Sequence, residues 1–297
     1  MKLATVKIGG EVKIAAVVGE KVIDLAAAYK KHYGVDYAPD FLYDMKKLIS
    51  AGEPALRLVE ELTAVGSPVV RDFQWLPPVP NPEKILCVAV NYRAHGVETG
   101  MEPPERPYFF PKFPNTLVGH RGVVLKHRVV ERLDWEVELV VVIGRAGKYI
   151  KPQEALDYVF GYTVGVDITA RDWQNPEEKT ARLYGKNWIW GKSMDTMAPT
   201  GPYIVTKDEV PDPNRLALRL WVNEVLEQEG STTDLIFKVQ ELVSWASQGI
   251  TLKPGDLIFT GTPPGVGWAK GKYLKGGDVI QAEVENVGRL VVYVVEE

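Results

Sequence analysis

The chain has 297 residues, of which 45% are hydrophobic, a formal net charge of −4 and one cysteine. That length and apolar content support one large domain, or a small domain beside a larger one, each with a real core. Mild acidity and scattered basic residues give no nucleic-acid or anionic-membrane surface. No run of eighteen apolar residues occurs, the first ten residues lack a signal-like apolar core, and one cysteine allows no intrachain disulfide. The expectation is a reducing cytoplasmic compartment and a small-molecule partner.

Three short strands are expected near 3–8, 12–18 and 21–25, separated by Gly9-Gly10 and Gly19-Glu20. Apolar spacing then predicts helices near 41–50 and 54–64. The segment 76–82 holds four prolines in seven residues, which favours an extended connection. The boundary is placed there, with a small N-terminal domain at 1–76 and a larger domain at 77–297.

Residues 84–90 read as an apolar strand in which Cys87 is a small buried hydrophobe. The strand empties into Asn91-Tyr92-Arg93-Ala94-His95-Gly96-Val97-Glu98. His95 and Glu98 stand at i and i+3, so one helical turn lets the carboxylate orient the imidazole as a general base; a surface turn is the other reading. No two of the four histidines have zinc-ligand spacing. Residues 107–120 mix aromatics, prolines and Lys112, which suits a pocket wall or a packed loop.

In the stretch 133–143, alternation puts Asp134, Glu136 and Glu138 on one strand face, which Val140 and Val142 continue as apolar. Same-face neighbours lie about 6 to 7 Å apart, so buried carboxylates there need positive charge between them, most simply a hard divalent cation. An exposed sheet edge is the alternative. A short helix at 151–159 and a strand at 162–169 follow, the latter placing Asp167 among apolar neighbours as a natural third ligand. Arg171 could fork onto a substrate carboxylate or form a salt bridge within the acidic cluster, and Gln174 adds an amide. The segment 185–193 misses the phosphate-loop spacing by one residue and is crowded by Trp188-Ile189-Trp190. Its Lys192 is a cation near acids, suited to a developing enolate.

A hairpin is expected around 216–230, turning at Asn223-Glu224, and a helix over 233–247 capped by Thr232 or Thr233. The segment 252–267 runs from turn to strand to a glycine-proline loop, whose amides, with Gly261 and Thr262, could hold a carboxylate. Strands at 277–284 and 288–295 close the chain.

Taken in order, Asn91-Tyr92 before His95 and Glu98, Glu136-x-Glu138, Asp167 with Ala170-Arg171-Asp172, Gly191-Lys192-Ser193-Met194-Asp195 and Thr260-Gly261-Thr262-Pro263 resemble the fumarylacetoacetate hydrolase family over residues 77–295. The resemblance implies a mixed α+β, strand-rich fold: a β-roll catalytic domain with a small N-terminal α+β domain, in a homodimer. It implies that Glu136, Glu138 and Asp167 hold Mg2+, with Mn2+ or Ca2+ as substitutes, and leaves Asp134 as a neighbour. It implies a His95–Glu98 catalytic dyad on a lid, Lys192 as an active-site lysine, and Tyr92, Arg171, Gln174, Gly261 and Thr262 near the substrate. Ala89, where relatives often have glycine, and the proline-rich 111–114 depart from the pattern.

Three carboxylates leave a hexacoordinate magnesium about three positions for water or substrate. The expected activity is hydrolytic carbon–carbon cleavage of a 2,4-dioxo acid of the acylpyruvate kind, with His95 and Glu98 activating water and an enolate as leaving fragment. Decarboxylation of oxaloacetate, or isomerisation of a 2-oxo-heptenedioate, uses the same enolate. A noncatalytic metal-stabilised binding protein is the alternative of a different class.

Overall fold

In the computed structural model, which describes residues 1–64, 69–175, 177, 183 and 185–297, the chain opens on the expected meander of β1 (Lys2–Ile8), β2 (Glu11–Val18) and β3 (Lys21–Asp24). Helix α1 (Leu25–Tyr33), which the sequence reading did not anticipate, follows without a loop. Asp24 ends the strand and caps the helix, its carboxylate accepting the Ala27 amide at 3.0 Å. Helices α2 (Met45–Ala51) and α3 (Glu53–Ala64) lie close to expectation. The first starts late because Asp40–Leu42 forms a separate 3₁₀ turn and Asp44 caps α2 through the Lys47 amide at 3.1 Å.

Beyond β4 (Val69–Val70) and β5 (Gln74–Trp75) come β6 (Ile85–Ala89), α4 (Arg93–Thr99), β7 (Tyr108–Lys112), β8 (Leu117–Val118) and β9 (Val123–Lys126). The acidic stretch is divided into β10 (Leu133–Asp134) and β11 (Val137–Ile143), followed by β12 (Val159–Val166), β13 (Thr169–Ala170) and the short helices α5 (Arg171–Gln174) and α6 (Trp188–Lys192). The predicted helix at 151–159 is a 3₁₀ helix, Pro152–Tyr158. The chain ends with β14 (Ala198–Thr206), β15 (Ala217–Val222), β16 (Val225–Ser231), α7 (Val239–Ala246), β17 (Leu257–Phe259), α8 (Gly267–Lys270), β18 (Val279–Val284) and β19 (Gly288–Glu296). The expected hairpin is β15–β16, with Asn223 and Glu224 both at positive φ in its turn.

The helix expected over 233–247 is shorter, and neither Thr232 nor Thr233 caps it. The amides of Ile236 and Phe237 are taken by the backbone and side-chain oxygens of Asn91, each at 2.8 Å, which holds this segment extended. The helix begins after Lys238, whose own amide donates to Glu241 at 2.8 Å.

The fold is mixed α+β and strand-rich. Its main sheet runs β4-β3-β2-β1-β14-β12-β11-β17-β6-β7 among the described residues, and a second runs β16-β15-β18-β19-β9. Because β1 pairs with β14, the first 76 residues share a sheet with the rest. Strand β11 is buried along its whole length, so its apolar run is continuous. Leu139, Val141 and Ile143 face the core shared with the second sheet, whereas Val140 and Val142 face the core built with the N-terminal helices. Cys87 lies fully buried in that second core, as read.

Candidate active site

The exposed-edge reading of the acidic stretch fails, because Asp134, Glu136, Glu138 and Asp167 are at most 5% exposed. In the β11–β12 register Val137 faces Val166 and Glu138 faces Gly165. Asp167 lies just past the end of β12, its amide donating to the Glu136 carbonyl at 2.8 Å. The two strands therefore bring Glu136, Glu138 and Asp167 together with a ligand oxygen of each within 4.8 Å of the others, a group that could hold a metal ion. Gly165 makes room for this: a Cβ there would lie 2.5 Å from Val140 Cγ2 and 2.6 Å from Phe259 Cε1.

Three cations are packed among the acids. Lys192 Nζ bridges Glu136 Oε2 at 2.7 Å and Asp167 Oδ2 at 2.8 Å. Arg171 donates to Asp134, to Glu136 at 2.6 Å and to Gln174 at 3.2 Å, so the salt-bridge alternative left open for it is present. Lys112, fully buried, binds Asp167 and donates to the Ile168 carbonyl at 3.0 Å. Sequence reasoning left Lys112 without a role, yet alternation along β7 places it on the inward face with Phe110.

Burial raises the Glu136 carboxyl, but Lys192 and Arg171 outweigh it and hold the group well below the usual carboxylate range. Glu138 goes the other way. Burial and the charges of Asp167 and Glu136 push it well above that range, against the amide of Gly261, which donates to Glu138 Oε2 at 2.6 Å. That amide comes from a residue at φ 96°, where an added Cβ would meet Asn91 Cβ at 2.8 Å.

His95, on α4, is 5% exposed. Its Nδ1 donates to Glu98 Oε1 at 2.8 Å, and Glu98 Oε2 accepts the Gly265 amide at 2.9 Å. A carboxylate can only accept, so Nδ1 carries a proton, and in the neutral imidazole Nε2 keeps its lone pair. His95, Glu136, Glu138, Arg171, Gln174, Lys192 and Thr262 line one cavity with Met101, Phe110, Lys186 and Trp188. Its volume of about 30 Å³ has room for a water or an ion.

Thr262 meets the cavity with its hydroxyl engaged, donating to the Val137 carbonyl at 2.9 Å and accepting Gln228 Nε2 at 2.8 Å. Gln228, which sequence reasoning missed, also accepts the Val137 amide at 2.9 Å. Gly261 touches the acids through its amide alone. Tyr92 is buried outside this lining, with its hydroxyl lacking a partner among the described residues.

Residues 84–295 match the model of the fumarylacetoacetate (FAA) hydrolase C-terminal family, and the chain belongs to that family. A mitochondrial oxaloacetate tautomerase of Bos taurus is 40% identical over 277 residues, covering 92% of this chain and 83% of the relative. Among solved structures, maleylpyruvate hydrolase from Sphingobium sp. SYK-6 superposes with a TM-score of 0.80 at 31% identity, covering 100% of both chains. The same hydrolase has been solved with manganese(II) and pyruvate, again at TM-score 0.80 and 31% identity, over 100% of this chain and 99% of the other.

Proposed function

We propose that this protein is a divalent-cation-dependent enzyme that forms the enolate of a 2-oxo acid, and that its reaction is keto–enol tautomerisation of an oxaloacetate-like substrate. The observation that carries the reading is the pairing of a carboxylate-oriented imidazole with a buried acid-and-lysine cluster on one cavity. The similarity to oxaloacetate tautomerases supports the choice of reaction.

The residues fit a hard cation. All three donors are carboxylate oxygens, and once Glu138 is ionised the cluster's four acids, Asp134, Glu136, Glu138 and Asp167, carry one negative charge more than the three buried cations. Glu138 has no cation of its own among the described residues; an amide holds it. We assign Mg2+ to Glu136, Glu138 and Asp167, with Mn2+ or Ca2+ as substitutes; manganese in the Sphingobium relative supports a divalent ion. When bound, such an ion supplies Lewis acidity toward substrate oxygens.

The chain's own residues do the rest. His95 Nε2 takes the proton from C3 of the oxo acid and returns it to the 2-oxygen, giving the enol; the reverse transfers restore the ketone. Glu98 keeps the imidazole oriented and stabilises its protonated form. Lys192 places a positive charge on the wall where the enolate charge develops. Arg171, Gln174 and Thr262 border the substrate; Gly261 supports Glu138, and Tyr92 supports the wall.

A second reading, hydrolysis of an acylpyruvate, is favoured by the likeness to maleylpyruvate hydrolase and by an imidazole able to deprotonate water in the same place. The test follows enol-oxaloacetate decay by ultraviolet absorbance, and pyruvate release from acylpyruvates, with Mg2+ or Mn2+ present. Acceleration of the first without the second selects the tautomerase; acceleration of neither sinks both readings. We further propose a cytoplasmic homodimer; among described residues no helix is long and apolar enough to cross a membrane.

A further inference from the structure

Three cations line the cavity, and they differ in how they are matched. Arg171 and Lys192 each contact two carboxylates. Lys186 contacts none among the described residues: the acceptor for its ammonium is the Met101 sulfur at 2.8 Å, a weak one. The side chain is half-buried against Trp188, with Nζ 5.3 Å from that ring's centre. Trp188 stacks on Phe110 at 4.6 Å and 18°, and Lys192 Nζ lies 5.2 Å from the Phe110 ring centre on its own side. An aromatic pair thus joins two ammonium groups, one neutralised by two carboxylates and one with no carboxylate in contact among the described residues.

Burial, then the positive charges of Arg171 and Lys192, draw the Lys186 ammonium down to about 8. A half-buried cation in a positive field is disfavoured unless an anion completes it. Among the described residues no carboxylate contacts it, whereas the acids of the cluster are already engaged.

We propose that Lys186 receives the distal carboxylate of the substrate, which makes this an enzyme for 2-oxo dicarboxylates in preference to 2-oxo monocarboxylates. The inference rests on the reading of the cavity as a 2-oxo acid site. A charged hydrogen bond inside a shielded site carries more than a neutral one, and its loss costs about tenfold or more in affinity. Nitrogen held only by a thioether can turn toward an incoming carboxylate with little lost.

Malate and lactate provide an unreactive pair, identical at the 2-hydroxy acid end and differing in the distal carboxylate. Both are titrated calorimetrically into the full-length protein in excess Mg2+, as wild type, Lys186→Met and Lys186→Arg, with thermal unfolding recorded for each. The wild type is expected to prefer malate by about tenfold or more, Lys186→Met to bring the ratio close to one, and Lys186→Arg to restore a preference. A wild-type ratio near one, or a Lys186→Met ratio within about twofold of wild type, overturns the assignment. Oxaloacetate turnover by the wild type is measured separately. Its absence with the malate preference intact refutes the tautomerase reading and leaves the dicarboxylate site standing.

Discussion

Asp134 Oδ2 and Arg171 Nε meet at 2.8 Å with neither side chain more than 3% exposed. Asp134 also accepts the amides of Trp135, Gly267 and Trp268 at 2.7, 2.6 and 3.0 Å. Its oxygens are therefore spent on the frame around the triad. Asp134→Ala leaves a buried guanidinium half-paired and three amides without an acceptor, a change expected to cost about 3–5 kcal/mol. Urea unfolding monitored by tryptophan fluorescence checks this; a loss under about 1 kcal/mol would show that the cluster rearranges freely.

Glu138 is the proposed ligand whose ionisation is opposed by burial and by Asp167 and Glu136. Adding Mg2+ or Mn2+ at a hundred times its dissociation constant is expected to stabilise the protein by about 2.7 kcal/mol. Glu138→Gln should remove most of that response. Because burial, Asp167 and Glu136 raise this carboxyl, metal binding should release protons and tighten with rising pH. Calorimetry in buffers of different ionisation enthalpy reads the released proton directly.

His95→Gln removes the group proposed to move the proton while leaving the triad untouched. Turnover is expected to fall about 10²- to 10⁴-fold, with the metal-induced rise in melting temperature retained. If turnover persists at near-wild-type rate, the proton is carried by another group. Loss of the metal response as well would instead place His95 in the metal site.

His120 lies away from this cavity, with Nδ1 accepting the Val291 amide at 3.1 Å and its ring edge-on to Trp75. Burial, and secondarily Arg121, lower its pKa to about 4. In the unfolded chain a histidine titrates near 6.5, so the native state binds fewer protons between these values. Its contribution to stability is complete above pH 6.5 and is lost as pH falls toward 4; with the ring partly open to solvent, the change is about 1–3 kcal/mol. Melting temperatures from pH 7 to 4 should fall more steeply for the wild type than for His120→Asn.

Asp134, Glu136 and Glu138, from β10 to the start of β11, were legible because period-two alternation carries a charge into a core whether or not its partner is known. Asp167 was legible for the same reason, although β12 ends one residue before it. Lys112 obeyed that rule too, but its neighbours Pro111 and Pro114 made the segment read as a loop. Gln228 was hidden because β15 and β16 slip register between Leu220 and Trp221, so alternation no longer tells which face a residue takes. Helix α1 was hidden by the opposite problem: its Leu25-Ala26-Ala27-Ala28 start is small and apolar on every side. The interruption before α7 depends on Asn91, 146 residues away in sequence from Phe237, a contact no local pattern encodes.

Strand β11 pairs with β17, more than a hundred residues later in the chain, so this partner is synthesised well after it. A nascent chain that has emerged through Asp167 contains all four acids of the cluster but, of their buried counter-charges, only Lys112. Arg171 and Lys192 come next, and the amides of Gly261, Gly267 and Trp268 come last. Strand β11 therefore cannot be buried at low cost until about a hundred residues after it have been translated, and the acidic segment must stay hydrated through that interval. Its carboxylates, a liability in the finished core, keep an otherwise sticky Val-rich strand soluble while it waits.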